Sequence, residues 1–240
     1  MGVEIRIKHQ RIAWMRRVIG VLRHPRQTMN DVVGRPRFAV AWVFLLAIVA
    51  ACAFSLLSTA VGKQALVDER VRVIEALGGR VDDAAYARLQ ANPPWLVYWT
   101  SGGRLLLTPE MTLLVAVGLV GLARLDGIKV RFATALAVTV HATVVLALQQ
   151  VVVTPLHFLR ESLTSPTNLA GLMPMLDEGS LPARWLGSVD VFGLWWVWLL
   201  AVGLAAATGR PVGRYAARLL MAYVGVAAIV AVTFAVFGAQ

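Results

Sequence analysis

The stretch from residue 38 to residue 59, FAVAWVFLLAIVAACAFSLLST, contains no charged side chain. A helix needs about 20 apolar residues to cross the roughly 30 Å hydrocarbon layer of a membrane, and this stretch meets that requirement. The whole chain has a matching composition, because 58% of its 240 residues are hydrophobic and 15% are charged. A soluble domain has about 45–50% apolar and about 25% charged residues, so the sequence indicates an integral membrane protein.

Four further apolar segments are candidate membrane spans: residues 109–125, 132–158, 189–208 and 216–238. The first of these is the shortest, at about 25 Å for 1.5 Å per residue. We expect its helix to begin at Thr108, a hydroxyl cap, followed by Pro109 at the first helical position and an acid near the positive end of the dipole. The sequence therefore predicts an all-α polytopic protein with five transmembrane helices, in which an N-terminal segment (1–37) precedes a membrane domain (38–240).

The distribution of basic residues predicts the orientation. Lys and Arg are dense in residues 1–37, 124–131 and 210–218, whereas the longer segments 60–108 and 159–188 carry more of the acids. Because short loops rich in Lys and Arg stay in the cytoplasm, we expect a cytoplasmic N-terminus, an external C-terminus and two outer loops. The formal net charge of +10 comes from these dispersed residues, which does not favour nucleic acid as a partner.

Residues 11–24 have the pattern of an amphipathic helix. Apolar side chains at helical spacing cover one broad arc, and most of the arginines lie opposite them. Such a helix lies in the membrane interface, where arginine is attracted to anionic headgroups. We expect contacts with the membrane surface from Trp14, Arg16, Arg17 and Arg23. The alternative is a basic flank that is helical but does not recognise lipid.

The first outer loop, residues 60–108, is predicted to form a small helical cap. Residues 63–77 mix apolar and charged side chains in the manner of a soluble helix, which Gly78 and Gly79 end. A second short helix follows at residues 82–90. The segment is too short to bury a core of its own, which argues against a separate enzyme domain.

The second outer loop contains a further helical pattern. Ser165 and Pro166 fit an N-cap followed by a proline at the first helical position. Four apolar side chains then share one helix face: Leu169, Leu172, Met173 and Leu176. We therefore expect a short amphipathic helix on the outer membrane surface, with Asn168 as its polar contact over a cleft. The alternative is an irregular lid whose leucines touch lipid.

Polar side chains inside a span are functional candidates, because each is costly in hydrocarbon. His141 lies within the third span, Gln149 lies two turns further on nearly the same face, and Gln150 is its neighbour. These residues form either a polar site for a small ligand or a set of hydrogen bonds between helices. A single histidine without a second ligand at suitable spacing does not indicate a metal, and no cofactor is predicted.

Sequence motifs of enzymes are missing. The chain has no His-Glu-x-x-His, no Gly-x-Ser-x-Gly and no phosphate-binding Gly-x-x-x-x-Gly-Lys-Ser/Thr. An intramembrane enzyme would also need a nucleophile with a base, or paired acids, among its spans, and neither can be assembled. The sequence therefore favours a protein that is not an enzyme.

Two stretches resemble bacterial members of the Yip-domain (Ypt/Rab-interacting protein) family. The first, VLRHPRQTM at 21–29, contains Pro25 before the first span. The second is SPTNL at 165–169 followed by SVDVFGLWW at 188–196. From these stretches the resemblance singles out Pro25, Ser165, Pro166, Asn168, Asp190, Phe192 and Trp195, and it extends over residues 20–238.

The resemblance implies a non-enzymatic membrane protein that organises or assists another membrane complex, such as a bacterial ABC-type exporter, or that forms a homo-oligomer. Eukaryotic members are linked to Rab GTPases and carry an Asp-Leu-Tyr-Gly-Pro motif. This chain has Asp-Val-Phe-Gly-Leu at 190–194 instead, so Rab binding does not follow. The alternative is a small transporter or channel with a polar site around His141 and Gln149.

Overall fold

The structure is a computed structural model that describes residues 14–91, 95–173, 175 and 180–237, and the side chains of these except for residues 76, 95–107, 172, 234, 235 and 237. The secondary structure of these residues is helical, apart from one isolated antiparallel bridge between Asn168 and Asp190. The helices are α1 (residues 14–23), α2 (Pro25–Gly34), α3 (Ala39–Leu57), α4 (Ala60–Ala76), α5 (Asp83–Gln90), α6 (Trp95–Leu125), α7 (Phe132–Ala142), α8 (Val144–Arg160), a 3-10 turn (Ala170–Leu172), α9 (Leu181–Gly187), α10 (Val191–Thr208) and α11 (Val212–Phe237).

Five segments of the described chain are long and apolar enough to cross a membrane. They are Ala39–Leu57, Thr108–Leu125, Phe132–Arg160, Val191–Thr208 and Val212–Thr233. The predicted all-α, five-span architecture is therefore confirmed. Each span follows from the same property of the sequence, a run of about 20 residues that can bury its backbone polar groups in its own helical hydrogen bonds.

The second candidate span, Thr108–Leu125, lies where the sequence predicts it, but the predicted start of its helix at Thr108 was wrong. Helix α6 begins at Trp95 and continues through Pro109, which lies inside it. The hydroxyl of Thr112 donates to the carbonyl oxygen of Thr108 at 2.7 Å, as a side chain within a continuous helix does. Proline is tolerated inside membrane helices because neighbouring groups can satisfy the backbone that it frees. Thr108 is therefore an interior residue of α6 and not its cap.

The chain forms two compact units, and the first combines residues 1–48, 106–148 and 195–220. Its core centres on α7, in which every residue from Thr134 to Ala142 is buried. Helix α2 packs against α7 and buries Met29 completely. Helix α10 approaches α7 closely at Gly203, where an added Cβ would lie 2.2 Å from Cγ1 of Val138. The small residue at this position thus allows the two helices to pack tightly.

The second unit combines residues 49–105, 149–194 and 221–240. Within it, Thr59 caps α4 by accepting a hydrogen bond from the amide of Gly62 at 3.0 Å, and Asp82 caps α5 in the same way. The hydroxyl of Tyr86 on α5 donates to Asp68 on α4 at 2.9 Å. The predicted helical cap is confirmed, and its two helices are joined by side-chain hydrogen bonds as well as by their short connection.

The predicted amphipathic helix of the second outer loop was wrong. Residues 166–169 form a turn and the bridge to Asp190, and among the described residues between 165 and 175 the only helical part is the 3-10 turn Ala170–Leu172. The hydroxyl of Ser165 does not cap a helix there, because it donates to Asp190 instead. Of the residues predicted to share a helix face, Leu176 lies outside the described residues.

Candidate functional site: a hydrogen-bonded cluster around Asp190

The carboxylate of Asp190 is the centre of a polar cluster in the second unit. Its Oδ2 atom accepts hydrogen bonds from the hydroxyls of Ser165 at 2.8 Å and Thr167 at 2.6 Å. Its Oδ1 atom accepts from the backbone amide of Phe192 at 2.8 Å, which makes Asp190 the N-cap of α10. Both carboxylate oxygens are thus occupied by donors from the protein, and hydrogen bonds to a charged acceptor are the stronger kind.

Backbone hydrogen bonds also hold residues 167–169 beside Asp190. The amide of Leu169 donates to the carbonyl oxygen of Val189 at 2.9 Å, and the amide of Val191 donates to that of Thr167 at 3.2 Å. The side-chain oxygen of Asn168 accepts from the amide of Gly171 at 2.7 Å and closes the turn that follows. The first two of these hydrogen bonds flank the isolated antiparallel bridge between Asn168 and Asp190.

Helices α8 and α11 also reach the cluster. The amide of Asp190 donates to the hydroxyl oxygen of Tyr223 at 3.2 Å. Gly193 leaves the space that this tyrosine needs, because a Cβ at that position would lie 2.3 Å from its hydroxyl. From α8, the side-chain nitrogen of Gln149 donates to the hydroxyl of Thr167 at 3.4 Å. The cluster thus joins the loop to three helices that contribute to candidate membrane spans.

In this arrangement the polar groups of the cluster bind one another. The carboxylate of Asp190 accepts hydrogen bonds from two hydroxyls and one backbone amide, which fixes its position between the loop and α10. Across the described residues, no three His, Cys, Asp or Glu side chains are placed to hold a metal ion together.

Four of the residues singled out by resemblance meet in this cluster: Ser165, Asn168, Asp190 and Phe192, the last through its backbone. Pro166 lies in the turn between Ser165 and Thr167. Pro25 and Trp195 belong to the first unit, where Pro25 opens α2. Sequence reasoning missed Thr167 and Tyr223. Thr167 lies within the quoted SPTNL stretch, and a tyrosine in an apolar span usually has a partner for its hydroxyl.

The three candidates for an intramembrane polar site occupy different surroundings. His141 lies in the first unit, is fully buried, and forms a 2.7 Å hydrogen bond through Nδ1 with the carbonyl oxygen of Ala137. Its Nε2 atom is buried without a partner among the described residues. Gln149 lies in the second unit as part of the Asp190 cluster, and the backbone carbonyl of Gln150 accepts from the hydroxyl of Thr154 at 2.6 Å.

The predicted surface residues of the N-terminal helix divide into two pairs. Arg16 and Arg23 are exposed. The guanidinium of Arg17 instead donates from Nε to Asp31 at 2.7 Å, and its side chain is only 11% exposed. The ring of Trp14 packs against Phe44, with centroids 4.8 Å apart. Part of the apolar face also remains uncovered, because Met15 and Ile19 are about half exposed.

A second polar cluster forms around Asp126 in the first unit. Its carboxylate, 5% exposed, lies 3.0 Å from the guanidinium of Arg218 and 3.6 Å from that of Arg214. Burial raises the pKa of Asp126, but the hydrogen bond and charge of Arg218, the hydroxyl of Tyr215 and the charge of Arg214 together outweigh it and leave the pKa below its ordinary value. The cluster ties the turn after α6 to the start of α11.

The helical architecture and the five candidate spans define the class of this molecule, a polytopic all-α membrane protein. A comparison with protein families gives the more particular result: the Yip1 domain matches residues 19–235, so the chain belongs to the Yip1 domain family. No curated protein and no solved structure matches the chain. The matched range contains both the Asp190 cluster and the Asp126 cluster.

Proposed function

We propose that this protein is a non-enzymatic module that organises or assists another membrane complex. The observation that carries the proposal is the large uncovered apolar surface of its spans. In the span of α11 only 11% of the residues in its 18-residue apolar window are buried within the protein, and in the span of α3 the share is 28%. In the span formed by α7 and α8 the share is 61%. In a membrane such faces are covered either by lipid or by the helices of a partner.

Helix α11 presents the strongest case for a partner. Val226 is 60% exposed and Ile229 is 68% exposed, whereas Ala227 and Ala231 on the same helix are buried. A shallow groove formed by residues including Ala228, Ile229 and Thr233 runs along this helix. Small residues beside branched apolar ones are the features by which membrane helices approach one another closely.

The polar clusters support a structural role over a chemical one. The acids Asp190 and Asp126 are each held by donors from the protein itself. A transport site would need polar groups that change partners during a cycle, and neither acid has such freedom in this structure. The part of the protein that a partner could bind is therefore the uncovered apolar surface of its spans.

Photocrosslinking at native expression tests the proposal. The photoreactive residue p-benzoylphenylalanine replaces Val226 or Ile229, and cells are irradiated before purification in mild detergent. A partner that packs on α11 gives a discrete protein adduct, identified by mass spectrometry. An adduct with a subunit of an ABC-type exporter would support the specific partner that the family resemblance suggests.

The matched control places the same residue at Leu114, which is 61% exposed on α6. This position measures collisions with unrelated membrane proteins. Crosslinks of equal yield at Leu114 and Ile229, or crosslinks to lipid alone, contradict the proposal. An adduct of twice the chain's mass identifies a homo-oligomer, and it counts against an accessory role for this face.

We further propose a bacterial inner membrane location with the N-terminus in the cytoplasm. The orientation rests on the density of basic residues in 1–37, 124–131 and 210–218. The bacterial inner membrane rests on the resemblance of residues 21–29, 165–169 and 188–196 to bacterial members of the family. Single cysteines in a Cys52→Ala background, placed at Arg88 and at Lys129, distinguish the two sides. A membrane-impermeant maleimide added to intact cells should label position 88 and spare position 129, and the reverse pattern contradicts the orientation.

A further inference from the structure

A polar cleft in the second unit lies beside the Asp190 cluster, with which it shares Ser165 and Asn168. None of its described lining residues belongs to the groove on α11. Its volume is about 580 Å³, and its polar wall consists of Arg72, Arg160, Ser162, Thr164, Ser165 and Asn168. Two of these residues are cations, and the described residues that line the cleft include no acid. The remaining wall is apolar and includes Ala170, Met173 and Ala183.

Arg72 is fixed in position by its neighbours. Its Nη1 atom donates to the hydroxyl of Thr164, and its Nη2 atom contacts Oε2 of Glu69 at 2.5 Å. Because both partners are held on the protein, the guanidinium is preorganised, and less side-chain entropy remains to be lost when a ligand binds.

Arg160 is the second cation of the cleft. It is the last residue of α8 and of the candidate span Phe132–Arg160, and its side chain is exposed. It forms no hydrogen bond or ion pair with any residue in the described part of the chain. Charged groups of lipids lie at the ends of membrane spans, so this arginine is at the depth where a headgroup phosphate would meet it.

Asn168 supplies an uncommitted donor beside the two arginines. The residue is only 7% exposed, and its side-chain oxygen is used by the amide of Gly171. Its side-chain nitrogen has no partner among the described residues, and it is not one of the atoms that are sealed from solvent. A largely buried donor without an acceptor costs free energy. A ligand that brings an acceptor into the cleft removes that cost and is bound more tightly for this reason.

We propose that this cleft binds a phosphate group, presented by the headgroup of an anionic phospholipid. A fixed guanidinium, a second guanidinium and an amide donor line one space, and together they can donate to the two charged, non-bridging oxygens of a phosphodiester. The apolar part of the wall, where Met173 is 51% exposed, suits the first carbons below the headgroup. This inference does not depend on the accessory role proposed above.

Native mass spectrometry of the full-length protein in neutral detergent tests the inference. The protein is titrated with phosphatidylglycerol, with zwitterionic phosphatidylcholine, and with inorganic phosphate. We expect saturable binding of phosphatidylglycerol, and we expect Arg160→Gln to weaken it about tenfold, which corresponds to about 1.4 kcal/mol. Arg160→Lys should retain part of the affinity, because it keeps the charge but loses the fork of donors.

The matched control is Arg88→Gln. Arg88 is an exposed arginine on α5 whose Nε donates to the backbone of its own helix, and it does not line the cleft. Equal loss in Arg88→Gln and Arg160→Gln would show general attraction to a basic surface and would overturn the proposal. Equal binding of phosphatidylcholine overturns the preference for an anionic headgroup. A third outcome is that inorganic phosphate displaces phosphatidylglycerol and loses affinity in Arg160→Gln to the same extent. That result would overturn the proposal that a lipid presents the phosphate group.

Discussion

The hydroxyl of Thr167 donates to Oδ2 of Asp190 across 2.6 Å, and the two residues are 23 positions apart in the chain. The same oxygen accepts from Ser165, and the same threonine pairs through its backbone with Val191. The loop that follows α8 is thereby fixed to the first turn of α10. Its conformation depends on Asp190, so loss of either partner should cost stability.

Thr167→Val should destabilise the protein by about 1–3 kcal/mol, because it removes a hydrogen bond to a charged acceptor and preserves the shape of the side chain. Asp190→Ala should cost more, since it leaves two hydroxyls and the amide of Phe192 without their acceptor. The measurement is the apparent unfolding temperature in detergent, followed by circular dichroism.

Thr233→Val provides the matched control. The hydroxyl of Thr233 donates to the carbonyl oxygen of Ile229 in its own helix at 2.8 Å, and the residue is exposed. Its replacement should leave the unfolding temperature almost unchanged. If Thr167→Val and Thr233→Val shift that temperature equally, the cluster does not stabilise the fold.

The spans were predictable because membrane insertion depends on a local property, the hydropathy of about 20 neighbouring residues. The caps of α4 and α5 are also local, since Thr59 and Asp82 bond amides three residues away. The start of α6 was missed because Thr108 and Pro109 fit a helix start, and local sequence does not show whether a membrane helix continues through a proline.

The Asp190 cluster was only partly predictable. The spacing of Leu169 and Leu172 fits a helix, but the hydroxyls of Ser165 and Thr167 have a distant acceptor, and periodicity carries no information about it. Tyr223 could not be assigned either, because the amide it accepts from lies 33 residues away. The family resemblance singled out four cluster residues in two neighbouring stretches, 165–169 and 188–196. The hydrogen bonds between these stretches are seen only in the structure.

Asp126 should make stability depend on pH in the acid range. Its pKa is lowered in the folded protein, so its contribution is complete above the ordinary aspartate value of about 3.9 and is lost as the pH falls through the lower, folded value. The unfolding temperature of the wild type should therefore exceed that of Asp126→Asn at pH 7, and the gap should close towards pH 3.

The difference in unfolding temperature between the wild type and Arg218→Gln should also narrow as the pH falls, because Arg218 forms the closer ion pair with Asp126. Glu75→Gln is the control, since Glu75 is an exposed acid on α4. A gap between the wild type and Asp126→Asn that stays constant from pH 7 to pH 3 would rule out the ion pairs as the source of the difference.

Gly203→Ala should destabilise the first unit. The added Cβ would meet Cγ1 of Val138 at 2.2 Å, and overpacking of this kind costs about 1–3 kcal/mol. Val138→Ala in the same chain should restore much of the loss by making room. Gly118→Ala on α6 is the matched control, because nothing lies within 4 Å of its Cβ position. No difference between the two alanine variants would mean that α10 does not approach α7 so closely.

His141→Leu should fold and assemble like the wild type. The histidine is fully buried, and its ring nitrogen bonds only a carbonyl of its own helix among the described residues. Leucine removes the unpartnered Nε2 atom and fills similar space, so the free energy of unfolding should change by less than about 1.5 kcal/mol.

His141→Asp tests whether the site is as dry as its burial indicates, because an isolated carboxylate there should destabilise the protein severely. Tolerance of the aspartate would show that water reaches position 141.

The comparison that separates the two proposed functions is made in His141→Leu, by measuring partner crosslinking and solute uptake. The proposed accessory role requires that its crosslinked partner remains bound at Ile229, whereas a transporter with a polar site at His141 would lose solute uptake in a protein that is otherwise correctly folded.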